Sequence, residues 1–434
     1  MILKHLYFLF LGSFVLIASG GCSIDADSPG GATTQAVLKT TTPESNHIQL
    51  EDTWVRLFGN GQESSGEDVI QTKDGSFLVV GGTSPSQDFG SIGGVMLLKV
   101  NKSGEILWQH TYGGEGYDAG WAITEGHEGG FVLGGVTTSF GTGGMDGYLV
   151  KVDDEGKEVW AKTFGGALDE SIASVQKTRD GGYFLVGNRV DPNDFVADPG
   201  AAGYGGFAGR SNIYLVKTDG EGNEIWSHTL ESPFNVLASA GIQSTQGGYF
   251  VLATVVYFPQ EGDDLLLVML DEDGNEVWRQ IWEEDSMGGY SMIQDSDGNF
   301  IITGLVEFEE DTGSDIFLLK VDPNGNELWQ RKLGDAEADA IGRAVIETNN
   351  GEYGLLVEKF SSYYSRDFTP LLLFFDKEGN LVQTSELDIY YSLKSGSLIQ
   401  DDVGAYIITG ASTGANGRFR TILIRTDQDG HVRK

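Results

Sequence analysis

DGEGNEIW (219–226), DEDGNEVW (271–278) and DPNGNELW (322–329) are three copies of one short pattern. Each opens on Asp, reaches Gly three residues later and Trp four residues after that. Asp bonds the backbone ahead of it and Gly takes positive φ without strain, so the first four residues read as a tight turn. The flanking runs, such as IYLVKTD (213–219) and, after a sister copy, EVWAKTF (158–164), are strand-like. Each copy is therefore a hairpin.

Outward from these three, the pattern continues as NKSGEILW (101–108), DDEGKEVW (153–160), DKEGNLVQ (376–383) and DQDGHVRK (427–434). Trp stands at 54, 108, 160, 226, 278 and 329, Gln383 takes the next slot, and Lys434 the one after. A second turn recurs upstream as DGSF (74–77), EGGF (128–131), DGGY (180–183), QGGY (246–249), DGNF (297–300), NGEY (350–353) and VGAY (403–406). Each ends in Phe or Tyr. The residue four later is Gly81, Gly135, Gly187, Ala253, Gly304, Val357 or Gly410, which marks a repeated packing constraint.

Each unit thus reads as four strands, A to D. A and B flank the upstream turn, C precedes the Asp-to-Gly turn, and D carries the Trp. Units of this size and make-up are propeller blades. An open solenoid would need distinct capping repeats, and none is visible. The repeat region opens with a lone D strand, TWVRLF (53–58), and ends with an A–B–C set. Seven sets each gain one D strand only if Trp54 completes the last blade, which removes both exposed edges. The expected fold is all-β: a seven-bladed β-propeller of four-stranded blades closed by the N-terminal Trp54 strand. Aromatic pairs four apart on strand D, such as Trp160 with Phe164 and Trp54 with Phe58, point to one side. They are expected to fill the seams between blades.

The repeat resembles that of quinoprotein-type propellers, in which an Asp–turn–Gly is followed four residues later by a Trp that docks between blades. The likeness covers residues 54–434, and the Asp-to-Gly spacing of three is one shorter than in that family. It is also similar to surface propellers of bacteria and archaea whose repeats read DGGY, LVKxD, GN and W. Fold resemblance alone does not carry function across.

The first residues, MILKHLYFLFLGSFVLIASGGC, combine Lys4, an apolar run and a small-residue end, which is an export signal and too short for a spanning helix. Cys22, the single cysteine, stands where lipoprotein signals place theirs. That resemblance implies a lipidated N-terminus. The departure is Ser19 in place of the usual Leu, and an ordinary signal cut after Gly20 is the alternative. The expected division is signal 1–21, flexible tether 22–48 and propeller 49–434. The expected address is the cell envelope, periplasmic or cell-surface side, held to a membrane by lipid.

A formal net charge of −36 makes nucleic acid a poor partner. No zinc motif, Cys/His cluster or nucleophile elbow is present, so no catalytic residue, metal or cofactor is expected. DEDGNE (271–276) and DSDGN (295–299) share residues with calcium loops, but tight turns use the same residues. Acids recur after strand D (Asp68, Asp118, Asp169, Asp339) and before strand C (Asp146, Asp264, Asp315). They are read either as a binding ring or, in preference, as anchors of loop backbone. The 66-residue gap between Trp160 and Trp226 reflects a long B–C loop, DPNDFVADPGAAGYGGFAGRSN (191–212). Its Asp194, Tyr204, Phe207 and Arg210 are candidate ligand contacts, because binding concentrates on such loops. Arg418, Arg420, Arg425, His431, Arg433 and Lys434 make the last unit basic, and they are expected to face Glu51 and Asp52 across the closing seam. The functional expectation is a monomeric binding or scaffold module with a protein or glycan ligand. A polysaccharide hydrolase or lyase and an envelope-assembly scaffold are the alternatives.

Overall fold

The structure is a computed structural model that describes residues 52–59, 63–84, 93–191, 210–257, 262–283, 285–307, 314–334, 339–360, 368–387, 389, 393–413 and 418–432. The signal, the tether and Cys22 lie outside them. The described strands, β1 to β28 in chain order, form seven antiparallel sheets of four. Blades 1 to 6 are consecutive meanders: Glu63–Tyr112, Asp118–Phe164, Asp169–Leu230, Asn235–Trp282, Ser286–Leu333 and Asp339–Glu386. Blade 7 combines β26 (Leu393–Gln400), β27 (Tyr406–Thr413) and β28 (Phe419–Arg425) with β1 (Trp54–Phe58). The register runs from Trp54 opposite Arg425 to Phe58 opposite Thr421. The ring closes as the repeat count requires. No helix among the described residues is long and apolar enough to cross a membrane.

Each A strand packs against the A strand of the next blade all round the ring, so the A strands surround the axis and the D strands form the rim. The core sits in the seams. Leu149 and Phe164 of blade 2 meet Ile172, Tyr183 and Leu185 of blade 3. Phe250 of blade 4 stacks on Phe300 of blade 5 with centroids 3.9 Å apart. Every aromatic that ends an A–B turn, from Phe77 to Tyr406, is buried.

The Trp repeat locks neighbours together. Trp54, Trp108, Trp160, Trp226, Trp278 and Trp329 lie over Gly104, Gly156, Gly222, Gly274, Gly325 and Gly379 of the next blade's C–D turn. A Cβ on any of these glycines would fall 2.6–3.0 Å from the ring, and all six have φ between 76° and 83°. Close approach and the left-handed backbone both demand Gly. The Trp54 Nε1 also donates to the Lys102 carbonyl at 3.0 Å, and the Trp329 Nε1 to the Lys377 carbonyl at 3.2 Å. Gln383, in the Trp slot, also bonds the turn with its amide, donating one residue further on, to the Asp429 carbonyl at 2.8 Å. One refinement of the expected pairing emerges. Phe58, Tyr112 and Phe164 fill the seams, whereas all the Trp rings except Trp54 are half-buried and cap the seam at its rim.

Candidate functional site

The innermost strands share an irregularity that places side chains around the axis. In each A strand the register to strand B slips by one residue at the same place: after Gly66, Gly120, Ile172, Ala238, Gly289, Gly342 and Ser395. A β-bulge leaves its extra residue outside the ladder and re-aims its side chain. The residues at this position are Glu67, Trp121, Ala173, Ser239, Tyr290, Arg343 and Gly396, all half-buried. The bulge also explains the repeated glycine on strand B. A Cβ on Gly81, Gly135, Gly187 or Gly304 would lie 1.8–1.9 Å from the A-strand carbonyl opposite.

At two junctions, blades 4 to 5 and 5 to 6, neighbouring bulges touch. The Ser239 hydroxyl donates to the Gly289 carbonyl of the next blade at 2.7 Å. The Arg343 guanidinium sits 5.3 Å from the Tyr290 ring centroid, and its Nε donates to Glu358 Oε2 at 2.8 Å. Asp68 receives the Val69 N–H at 2.8 Å and, from blade 2, the Ile123 N–H at 3.1 Å. Burial pushes the Asp68 carboxyl above its ordinary range, against the bonds from Ile123, Ser397 and Val69. Burial, reinforced by Arg343, pulls the Lys394 amine down to about 8, while Glu67 and Glu358 oppose it. Burial and then Glu67 push the Tyr117 phenol up to about 12. Blades 5, 6, 7, 1 and 2 therefore bring aromatics, cations and acids to the innermost strands, while blades 3 and 4 contribute only Ala173 and Ser239 at the bulge. Such a mixture suits a polar ligand held by a few convergent groups and an aromatic face.

The acids expected near the loop face mostly anchor backbone. Asp118 accepts the Gly114 N–H at 2.8 Å and the Ser139 hydroxyl at 2.7 Å, and it also bonds the Thr137 hydroxyl. Asp146 accepts from Thr142 and Gly143. Asp169 reaches the Met145 N–H of blade 2, and Asp339 the Ser314 N–H of blade 5. Asp264 takes the Tyr257 hydroxyl at 2.6 Å. Of the four candidate ligand contacts on the 191–212 loop, Arg210 is described, opening strand Arg210–Thr218, while Asp194, Tyr204 and Phe207 lie outside the described residues.

In DEDGNE, Asp271 Oδ1 accepts the N–H groups of Asp273 and Asn275, the bonding of an ordinary turn. One group among the described residues, Asp427, Asp429 and His431, brings potential metal-ligating atoms within 4.8 Å of one another. Asp427 there makes the same turn bonds, to the N–H groups of Asp429 and His431. At the closing seam Arg425 donates to the Asp52 carbonyl at 3.0 Å and pairs with Asp401 at 3.1 Å. The contact with the first residues is therefore to backbone rather than to a carboxylate. Glu51, Arg433 and Lys434 lie outside the described residues.

Strand order and ring closure define the class: a seven-bladed β-propeller. No family model and no curated protein matches the chain. Among solved structures, a puromycin hydrolase is similar at 15% identity with a TM-score of 0.51, over 83% of this chain and 53% of that one. The chain thus spans about half of that protein. A protein of unknown function from Dyadobacter fermentans aligns at 10% identity and TM-score 0.48, over 86% of this chain and 98% of that one. An alpha-L-arabinanase of Penicillium chrysogenum aligns at 10% identity and TM-score 0.46, over 70% of this chain and 92% of that one. At these identities the likeness is one of fold alone, and none of these matches singles out the quinoprotein-type propellers.

Proposed function

We propose that the protein is a ligand-binding module of the cell envelope, lipid-anchored at Cys22 and holding a small polar ligand at the axial cluster. The observation that supports the binding role is the placement of Glu67, Trp121, Tyr290 and Arg343 on bulges that face one another around a closed ring. A rigid scaffold that fixes irregular residues on the innermost strands is pre-organised for recognition. The acidic net charge argues against nucleic acid as the ligand. The motivation for the anchor is the apolar run and the small residues that end at Cys22.

Two experiments test the reading. Cys22→Ser should move the protein from the membrane fraction to the soluble fraction, and unchanged fractionation refutes the anchor. Residues 23–434 should capture ligand from a panel of immobilised glycans and envelope extracts. Trp121→Ala should abolish capture while leaving the circular dichroism spectrum intact. Capture that survives both Trp121→Ala and Tyr290→Ala places the ligand elsewhere and overturns the axial assignment.

A further inference from the structure

The tight-turn end of each blade carries a two-part device, and blade 2 breaks it. In four blades a strand C cation pairs with an Asp from the first or third residue of the A–B turn. The pairs are Lys99–Asp74 at 2.9 Å, Lys217–Asp180 at 2.8 Å, Lys320–Asp295 at 2.9 Å and Arg425–Asp401 at 3.1 Å. Blades 4 and 6 lack both halves. Their turns carry Gln246 and Asn350, and their strand C positions hold Met269 and Phe374. Blade 2 alone keeps the cation, Lys151, without the Asp. Its turn offers Gly126 and an exposed Glu128 held at a φ of 60°.

Lys151 is 7% exposed, and the partners of its ammonium are the carbonyls of Gly129 and, at 3.5 Å, His127. It fills the room left by the missing side chain: a Cβ on Gly126 would fall 1.6 Å from Nζ. Burial depresses its proton affinity, Asp154 counters this and Lys177 adds to it. Asp154 acts on it only at a distance, with Oδ1 accepting the Gly130 N–H at 3.1 Å, and a buried cation with no carboxylate bonded to it is unfavourable. Here it borders a groove of about 640 Å³ between blades 2 and 3, lined by His127, Lys151, Asp154, Trp160, Lys162 and Glu221 among others.

We propose that this groove binds an acidic sugar unit, a uronate, whose carboxylate supplies to Lys151 the negative charge that Asp provides in the other blades. Trp160 is half-buried and presents an aromatic surface of the kind on which a sugar ring packs. The acids on the rim, Asp154 and Glu221 among them, repel a polyanion, but they accept hydrogen bonds from the hydroxyls of a singly charged sugar. One carboxylate with many hydroxyl donors is the chemistry that satisfies both halves of the lining. The groove lies at the tight turns between two blades, apart from the axial cluster, and the inference does not depend on that cluster.

The test is calorimetric titration of the full protein with glucuronate and galacturonate, against glucose, galactose and inorganic phosphate. The uronates should bind at least tenfold more tightly than the neutral sugars, and phosphate should not compete. Lys151→Met should lower uronate affinity tenfold or more without loss of fold, because blade 4 carries Met269 at the same place. Equal binding of neutral sugars and uronates, no uronate binding at 10-millimolar order, or wild-type affinity in a folded Lys151→Met variant overturns the proposal. The comparison of sugars on the unaltered protein decides the matter even if a variant fails to fold.

Discussion

Trp54 is the residue whose removal tests the architecture most directly, because it locks two blades together and belongs to the strand that closes the ring. Its side chain is 6% exposed, lies over Gly104 and Phe77, and donates to the Lys102 carbonyl at 3.0 Å. A buried aromatic removes roughly 150–250 Å² from water, about 4–6 kcal/mol at ~25 cal/mol per Å². Measured truncations of buried Trp fall at about 3–5 kcal/mol. Loss of the indole bond accounts for about 1 kcal/mol of that. Trp54→Ala should therefore destabilise by about 4 kcal/mol. Trp54→Gln should lose about 1 kcal/mol less, because Gln383 shows that an amide in this slot finds a carbonyl of the turn, the one next to that bonded by the indole. Trp329→Ala, at a half-buried ring, should lose only about 2 kcal/mol. The assay is urea unfolding followed by far-ultraviolet circular dichroism, read as a midpoint shift at unchanged slope. A Trp54→Ala loss below about 1 kcal/mol, or a larger loss for Trp329→Ala, would refute the docking account.

The Asp–cation device makes its own predictions. Asp180→Gln alone strands Lys217, which is 3% exposed, and should destabilise by about 2 kcal/mol because the acid it loses is partly solvated. Asp180→Gln with Lys217→Met copies blade 4 and should stay within about 1 kcal/mol of the parent by thermal melting; a double loss equal to the sum of the two single losses would show that the pair is not coupled. Although burial pushes Asp180 up, the bonds from Lys217 and Thr178 outweigh it and bring the carboxyl to about 2. Its folded pKa is depressed, so its contribution is present above pH ~4 and is lost between about pH 4 and 2. The melting temperature should fall in that window, and more in the parent than in the double variant. Deleting residues 49–59 removes β1 and should produce aggregation visible by light scattering, whereas deleting 23–45 should leave the melting curve unchanged.

The fold was legible because a propeller repeats its local chemistry. The Asp-to-Gly turn and the Trp give hairpin and blade from residue types alone, and the lone strand at Trp54 forces closure. The axial cluster was not legible, for a definite reason. A bulge shifts the period-two pattern by one, so Glu67, Trp121, Tyr290 and Arg343 do not fall on a face that alternation identifies. Its trace was present in the repeated Gly81, Gly135, Gly187 and Gly304, which the A-strand carbonyl imposes. The loop acids illustrate the opposite case. Asp118 and Asp169 were read correctly as loop anchors, because short carboxylates next to free backbone N–H groups bond them in preference to ligands. The Lys151 exception needed the blades compared pairwise, since neither Gly126 nor Lys151 is unusual by itself.

The capture of β1 by β28 has a consequence for molecules that meet before either has closed. Until Trp54 settles opposite Arg425, blade 7 has three strands and β28 presents an open row of backbone donors and acceptors. That row does not distinguish its own β1 from the β1 of a neighbour, because the ladder and the Gly104 seat are identical in every copy. A chain's own strand competes at an effective concentration of millimolar order. Refolding from denaturant at protein concentrations well below that should therefore return monomers. Refolding near it should yield domain-swapped dimers and longer exchange chains in which each propeller is completed by the molecule before it.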